Sequence, residues 1–157
     1  MYRNWASDPV VTKYLTWPAH DSLETSEAVI VRWISDYSRT DTYQWAIELK
    51  TLTQPIGSIS VVACKEIVRQ AEIGYCIGRP WWGQGLTAEA AGAVIRYLAR
   101  EVGFHRICAD HDVENPNSGR VMQKLGMTRE GILRAAGRNN RGIVDIVQYS
   151  ILAEELE

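Results

Sequence analysis

The chain is poor in the residues that build covalent or metal-held frameworks, with three cysteines and three histidines in 157 residues. Cys64, Cys76 and Cys108 are odd in number and far apart, which excludes a disulfide scaffold and suits a reducing, cytoplasmic setting. His105, Cys108 and His111 lie close in sequence, but on a strand Cys108 points away from His111, so no metal site is expected. No apolar run approaches the roughly 20 residues that a membrane helix needs. The opening Met-Tyr-Arg-Asn-Trp also lacks the apolar stretch of a signal peptide. There is no excess of basic charge: a net charge of −2 leaves no electrostatic footprint for nucleic acid. Neither a membrane nor nucleic acid is an expected partner.

What remains is the composition of a globular protein, 46% hydrophobic and 23% charged, long enough for one core and one domain over residues 1–157. Six tryptophans are many for this length, and large aromatics line ligand clefts as well as cores. Asp8-Pro9 reads as an N-cap followed by a first-turn proline, opening a helix through Val10, Val11 and Tyr14 that ends before Pro18. A second helix is expected from Asp21, with Glu24 completing a capping box and Ile30, Trp33, Ile34 and Tyr37 at helical spacing. The period then changes to two over 43–49. Partner strands are expected at 56–63 and 71–77, in a meander whose connections are too short for crossover helices. A helix at 86–101, a strand at 106–113, a short helix at 118–125 and a last strand at 143–152 complete the order. This is an α+β chain with a mixed, mostly antiparallel sheet flanked by helices. Its ligand end is expected at a strand-to-helix loop.

That loop is Trp82-Gly83-Gln84-Gly85-Leu86-Thr87-Ala88. Glycines there let the backbone approach a ligand, and the orphan amides of a helix start favour an anion such as a diphosphate. A turn with a helix cap explains the glycines equally well. Gly83, Gly85 and Ala88 also fit the G-x-G-x-x-G/A dinucleotide pattern. That pattern needs a parallel βαβ unit with the loop directly after its first strand. Here a meander precedes the loop, Arg79-Pro80-Trp81-Trp82 intervenes, and an acidic residue about 20 positions on is hard to place, since the region offers Gly103 and Phe104 and Asp110 comes late.

Two segments together are more specific. Glu72-Ile73-Gly74-Tyr75-Cys76-Ile77 with 82–90 resembles motif A of the GNAT acetyltransferase superfamily. Asn115-Pro116-Asn117-Ser118 with Lys124-Leu125-Gly126-Met127 and Glu130-Gly131 resembles its motif B. The chain is most similar to the branch acetylating N-terminal alanine or serine of ribosomal proteins. The resemblance implies a three-layer fold, acetyl-CoA as co-substrate with no metal, and a primary amine as acceptor, either a protein N-terminus or a small molecule. It departs from the family in having Trp82 and Thr87 at the two ends of the acyl-CoA loop and Met122 where many members carry a tyrosine general acid. The chain reads as starting after the family's first strand, which leaves three alternatives: a truncated chain, an exposed sheet edge, or an edge covered by a second copy in a homodimer.

Acetyl transfer to an amine needs a base or water relay, a polarised carbonyl and a stabilised thiolate. Glu72 is the expected base: it alternates away from Ile73, Tyr75 and Ile77, with Gly74 leaving room beside it, and the resemblance places a base there in some members. The carboxylate that the ribosomal branch uses nearer the C-terminus has no counterpart around Gly137. Ser118 is expected to stabilise the thiolate or to cap its helix, and Asn115 and Asn117 to hold the pantetheine arm or shape the turn. Backbone groups at Ile77 and Gly78 would pair with that arm like an added strand. Trp17, His20 and Trp81 are expected walls of the acceptor pocket, while Trp33 and Trp45 read as core. Cys76 lacks a histidine partner and is not expected to form an acyl-enzyme. Asp145 is held in reserve as a polar group beside the cleft. A non-catalytic acyl-CoA sensor is the competing reading.

Overall fold

In the computed structural model, which describes residues 1–156, the period-two segments become strands. They are β1 (Gln44–Glu48), β2 (Pro55–Lys65), β3 (Gln70–Ile77), β4 (Arg106–Asp112), β5 (Thr128–Asn139) and β6 (Gly142–Leu152). One sheet holds them in the order β1-β2-β3-β4-β6-β5. The helices are α1 (Pro9–Thr12), α2 (Leu23–Asp36), α3 (Leu86–Tyr97) and α4 (Pro116–Lys124). Every neighbouring pair of strands is antiparallel except β3 and β4, which run parallel with α3 as their crossover. The parallel pairing covers only Gln70–Arg106, Ala71–Ile107 and Glu72–Cys108. Beyond Glu72 the two strands part and leave a gap in the sheet.

Alternation sorts the two faces. Ile73, Ile77, Ile107 and Ile151 join Ala91, Val94, Ile95 and Leu98 of the α3 segment in the main core. Each fully buried side chain of this size stabilises the fold by about 1.5–3 kcal/mol. On the opposite face β2, β3 and β4 present Ser58, Ser60, Glu72, Gly74 and Asp110 to a cavity. This polar face lies beneath the N-terminal segment.

The structure corrects several boundaries. Asp8 caps α1 through a side-chain bond from Val10 N–H (2.9 Å), but the helix spans four residues, and a π-helical turn over Tyr2–Ala6 precedes it. α2 is capped by Ser22, whose Oγ accepts from Thr25 N–H, so it starts after the expected Asp21. Its apolar stripe is largely uncovered: Ile30, Ile34 and Tyr37 are exposed and only Trp33 turns towards the cavity. α4 begins at Pro116, which places Ser118 inside the first turn.

Two larger differences concern topology. The expected meander is present as β1-β2-β3, but the chain then crosses over, and β3-α3-β4 is a parallel βαβ unit that the sequence reading did not foresee. It still differs from a dinucleotide fold, because a 3-10 turn at Arg79–Trp81 separates β3 from the glycines. β5 was not expected at all. It is an edge strand with two register irregularities and little burial, so no apolar alternation marks it. Ala135 there has φ 50° and is held by Asp145 Oδ1, which accepts its N–H at 2.7 Å. Asp145 is thereby engaged in shaping the bulge.

The β5–β6 hairpin fastens the N-terminal segment over the polar face. Asn140 Nδ2 donates to the carbonyls of Thr12 and Trp17, both at 2.8 Å, and its N–H donates to Leu15 O. Arg141 bridges Asp112 (2.9 Å) and Glu114 (2.7 Å). The Asp112 side chain is 1% exposed. Burial alone would raise its pKa, but Glu114 N–H, Asn139 and Arg141 outweigh that and hold it below the usual value. A lowered carboxyl pKa adds stability that is present above the unfolded value of ~3.9 and lost as pH falls through the folded one. Arg141→Gln should therefore cost about 1–3 kcal/mol at pH 7 in urea unfolding, and less once the pH lies below the folded pKa of Asp112. A loss that does not shrink in acid would place the effect elsewhere.

Candidate active site

The glycine loop ends where α3 begins. Gly83 and Gly85 have φ of +75° and +81°, which side-chain-bearing residues rarely adopt, and a Cβ on either would meet nothing within 4 Å. The space over the loop is therefore open. Gly85 occupies the N-cap with no side-chain cap bond, so the first-turn amides at Leu86, Thr87 and Ala88 lack intrahelical partners and point at that space. Gln84 Nε2 is tied to Pro80 O at 2.9 Å, which steadies the loop. Such a helix start fits a diphosphate through backbone amides and dipole.

The gap between β3 and β4 begins alongside. Gly78 N–H donates to Ile56 O, and strand alternation then turns the amides of Tyr75 and Ile77 to the unpaired edge. Part of the pairing expected at Ile77 and Gly78 is already engaged. Ile77 O accepts from Trp82 Nε1 at 2.7 Å, and Gly78 O accepts from Trp81 N–H. Trp82 thus closes the end of β3 through its indole, and Tyr75 and Ile77 offer the free donors.

Tyr75 spans the gap. Its hydroxyl lies 3.1 Å from both Ser118 Oγ and Ser118 O, and burial pushes its pKa up to about 12. It stays protonated at neutral pH and holds the first turn of α4 against β3. Met122, at the position of the family tyrosine, is buried in the main core. Gly119 lets α4 close over His111, because a Cβ there would stand 2.6 Å from His111 Nε2. Asn115 is the α4 N-cap without a side-chain cap bond, and Asn117 is exposed and accepts from Arg120.

A cavity of about 330 Å³ opens on the polar face and reaches the gap. Glu72, Ser118, Asn115 and Trp17 all line it. His20 and Trp81 do not: His20 is buried with Nδ1 2.7 Å from Ser26 Oγ, and Trp81 packs against the main core beside Gly78. Trp45 packs on the same core, whereas Trp33, expected there too, lines the cavity. Glu72 is half-buried, and its pKa is raised by burial first and by the charge of Asp110 second, with Lys65 opposing. Burial likewise raises the Cys76 pKa, with Ser58 Oγ at 3.4 Å opposing, so the sulfur is a neutral thiol at pH 7. Gln44 Nε2 is buried in the wall without a partner among the described residues.

Sequence reasoning missed Asp110, whose pKa is also raised by burial, with His111 opposing. It shares a face with Cys108, the register partner of Glu72. Only the parallel register could have revealed that. His105, Cys108 and His111 do not converge: no metal-binding cluster exists among the described residues.

The model of the acetyltransferase (GNAT) domain matches residues 1–128. The chain belongs to the GNAT acetyltransferase family. It is similar to the uncharacterized N-acetyltransferase YoaA of Bacillus subtilis, with 31% identity over 93% of this chain and 82% of that protein. A shorter stretch, 38% of this chain and 30% of the relative, is 44% identical to the ribosomal protein uS5-alanine N-acetyltransferase of Escherichia coli. Among solved structures, the microcin C7 self-immunity acetyltransferase MccE, in complex with acetyl-CoA and AMP, superposes with a TM-score of 0.79. The identity is 25%, over 90% of this chain and 78% of MccE. As a GNAT member the chain is an N-acetyltransferase, and the family uses acetyl-CoA. No helix among the described residues is long and apolar enough to cross a membrane.

Gly85→Ala forces an L-residue to φ +81° and costs about 1–2 kcal/mol. It should lower the thermal midpoint of the free protein by a few degrees. It should also reduce the additional rise produced by acetyl-CoA. An unchanged ligand shift would remove the loop from the binding site.

Proposed function

We propose that this chain passes the acetyl group of acetyl-CoA directly to a primary amine, a protein N-terminus or a small-molecule amine, held in the cavity beside Glu72. The observation that carries this reading is Glu72 itself. It is a half-buried carboxylate with a raised pKa, lining a cavity that joins the β3–β4 gap. When bound, acetyl-CoA supplies an activated thioester. The amides of Gly83–Ala88 would hold its diphosphate, and a Tyr75 or Ile77 amide would polarise its carbonyl. Ser118, steadied by Tyr75, would donate a hydrogen bond at the sulfur.

The amine arrives protonated at neutral pH, since free amines titrate near ~8 to ~10.4. Glu72 Oε takes that proton, directly or through water, and its raised pKa makes it a stronger base than an exposed glutamate. The buried neutral thiol of Cys76 argues for direct transfer over an acyl-enzyme. Similarity to a ribosomal-protein acetyltransferase supports a protein N-terminus, and a cavity of about 330 Å³ suits a small amine. The three free thiols fit a cytoplasmic setting.

Glu72→Gln tests the base. The rate constant kcat should fall by about 10²–10⁴ while acetyl-CoA binding is retained, and the acidic limb of the kcat/KM profile should disappear. The variant has a second signature. A raised carboxyl pKa means that the native state loses stability as pH rises from the unfolded value of ~4.3 through the folded one. The glutamine should therefore raise the thermal midpoint at neutral pH. Full turnover in the variant would contradict the assignment.

A further inference from the structure

Two carboxylates face the cavity, and the proposed reaction uses one. Glu72 and Asp110 stand on adjacent parallel strands, with Cys108 both the register partner of Glu72 and the same-face neighbour of Asp110. Strand spacing and a two-residue rise put their Cα atoms at least about 8 Å apart. Neither carboxylate is hydrogen-bonded or ion-paired among the described residues. The third acid of the lining, Asp112, is consumed by Arg141 and Asn139. Arg138 also lines the cavity but enters from β5, separated from β4 by β6.

Proton transfer neutralises Glu72 and leaves Asp110 as a half-buried anion. A partly buried charge needs a counter-ion, and among the described residues only the adjacent His111 opposes it, with no ion pair or hydrogen bond to the carboxylate. We infer that Asp110 is a specificity-determining residue that binds a second cationic centre of the acceptor, so that the preferred substrate is a diamine or polyamine-type molecule. The reacting ammonium sits at Glu72 and the distant one at Asp110. Trp17 and Trp33 in the cavity walls suit the alkyl chain between them. This inference rests on the acetyl-transfer reading for its chemistry, but the charge recognition does not depend on turnover.

The test compares 1,4-diaminobutane with butylamine, which differ in the second cation alone. Binding to the protein saturated with CoA is measured by calorimetry, and acetylation with acetyl-CoA by mass spectrometry. The diamine should bind at least about tenfold more tightly. Asp110→Asn should erase most of that ratio by raising the diamine Kd and KM, and Asp110→Glu, which keeps the charge, should restore part of it. Equal binding of the two amines by the native protein would overturn the inference. So would a ratio unmoved in Asp110→Asn, or a preference for an N-terminal alanine peptide without a second cation over the diamine. Selective diamine binding without any acetylation would leave the acceptor site standing and bring down the acetyl-transfer reading instead.

Discussion

Everything in the site depends on a parallel strand pairing that stops after three residues. β3 and β4 are joined from Gln70–Arg106 to Glu72–Cys108 and then part, although β3 stays paired to β2 and β4 to β6. Had the ladder continued, the amides of Tyr75 and Ile77 would be spent inside the sheet and the cavity would have no opening through it. The wedge is held open by α4, whose Ser118 meets the Tyr75 hydroxyl, and by the close fit of Gly119 over His111. The glycine loop follows the free end of β3 after the 3-10 turn at Arg79–Trp81. One interruption thus aligns an uncapped helix start, a pair of free amides and a carboxylate.

The two faces of the sheet divide the energetic labour. One carries the isoleucine-rich core against α3 and supplies most of the stability. The other is polar and half-buried, and it bears ionisable groups whose raised pKa values cost stability at neutral pH. Strain of this kind belongs at functional sites, where the group must be ready to change its charge. The hairpin bonds of Asn140 and Arg141 offset it by fixing the roof, so the cavity keeps its shape without an apolar filling.

Much of this was legible in the sequence. Alternation gave β1 to β4 and β6 within a few residues, the glycine loop marked the start of α3, and Glu72 faced away from Ile73 and Ile77 as expected. What stayed hidden has physical reasons. β5 is an exposed, bulged edge with no apolar period, so nothing in Thr128–Asn139 announces a strand. The stripe of α2 obeys helical spacing yet remains exposed, because periodicity finds an apolar stripe but not what covers it. Asp110 escaped because its nearness to Glu72 is a fact of register between strands more than 30 residues apart, with α3 between them. His20 and Trp81 looked like pocket walls by chain position, but local bonds to Ser26 and packing at Gly78 turn them inward.

The most direct test of the account is a crystal structure of the protein with acetyl-CoA bound. The account places the diphosphate on the amides of Gly83–Ala88 and passes the acyl arm into the gap between β3 and β4. The sulfur then lies within reach of Ser118, and the acetyl carbon faces the cavity containing Glu72. Density for acetyl-CoA on any other surface, or an acetyl group directed away from Glu72, would contradict it.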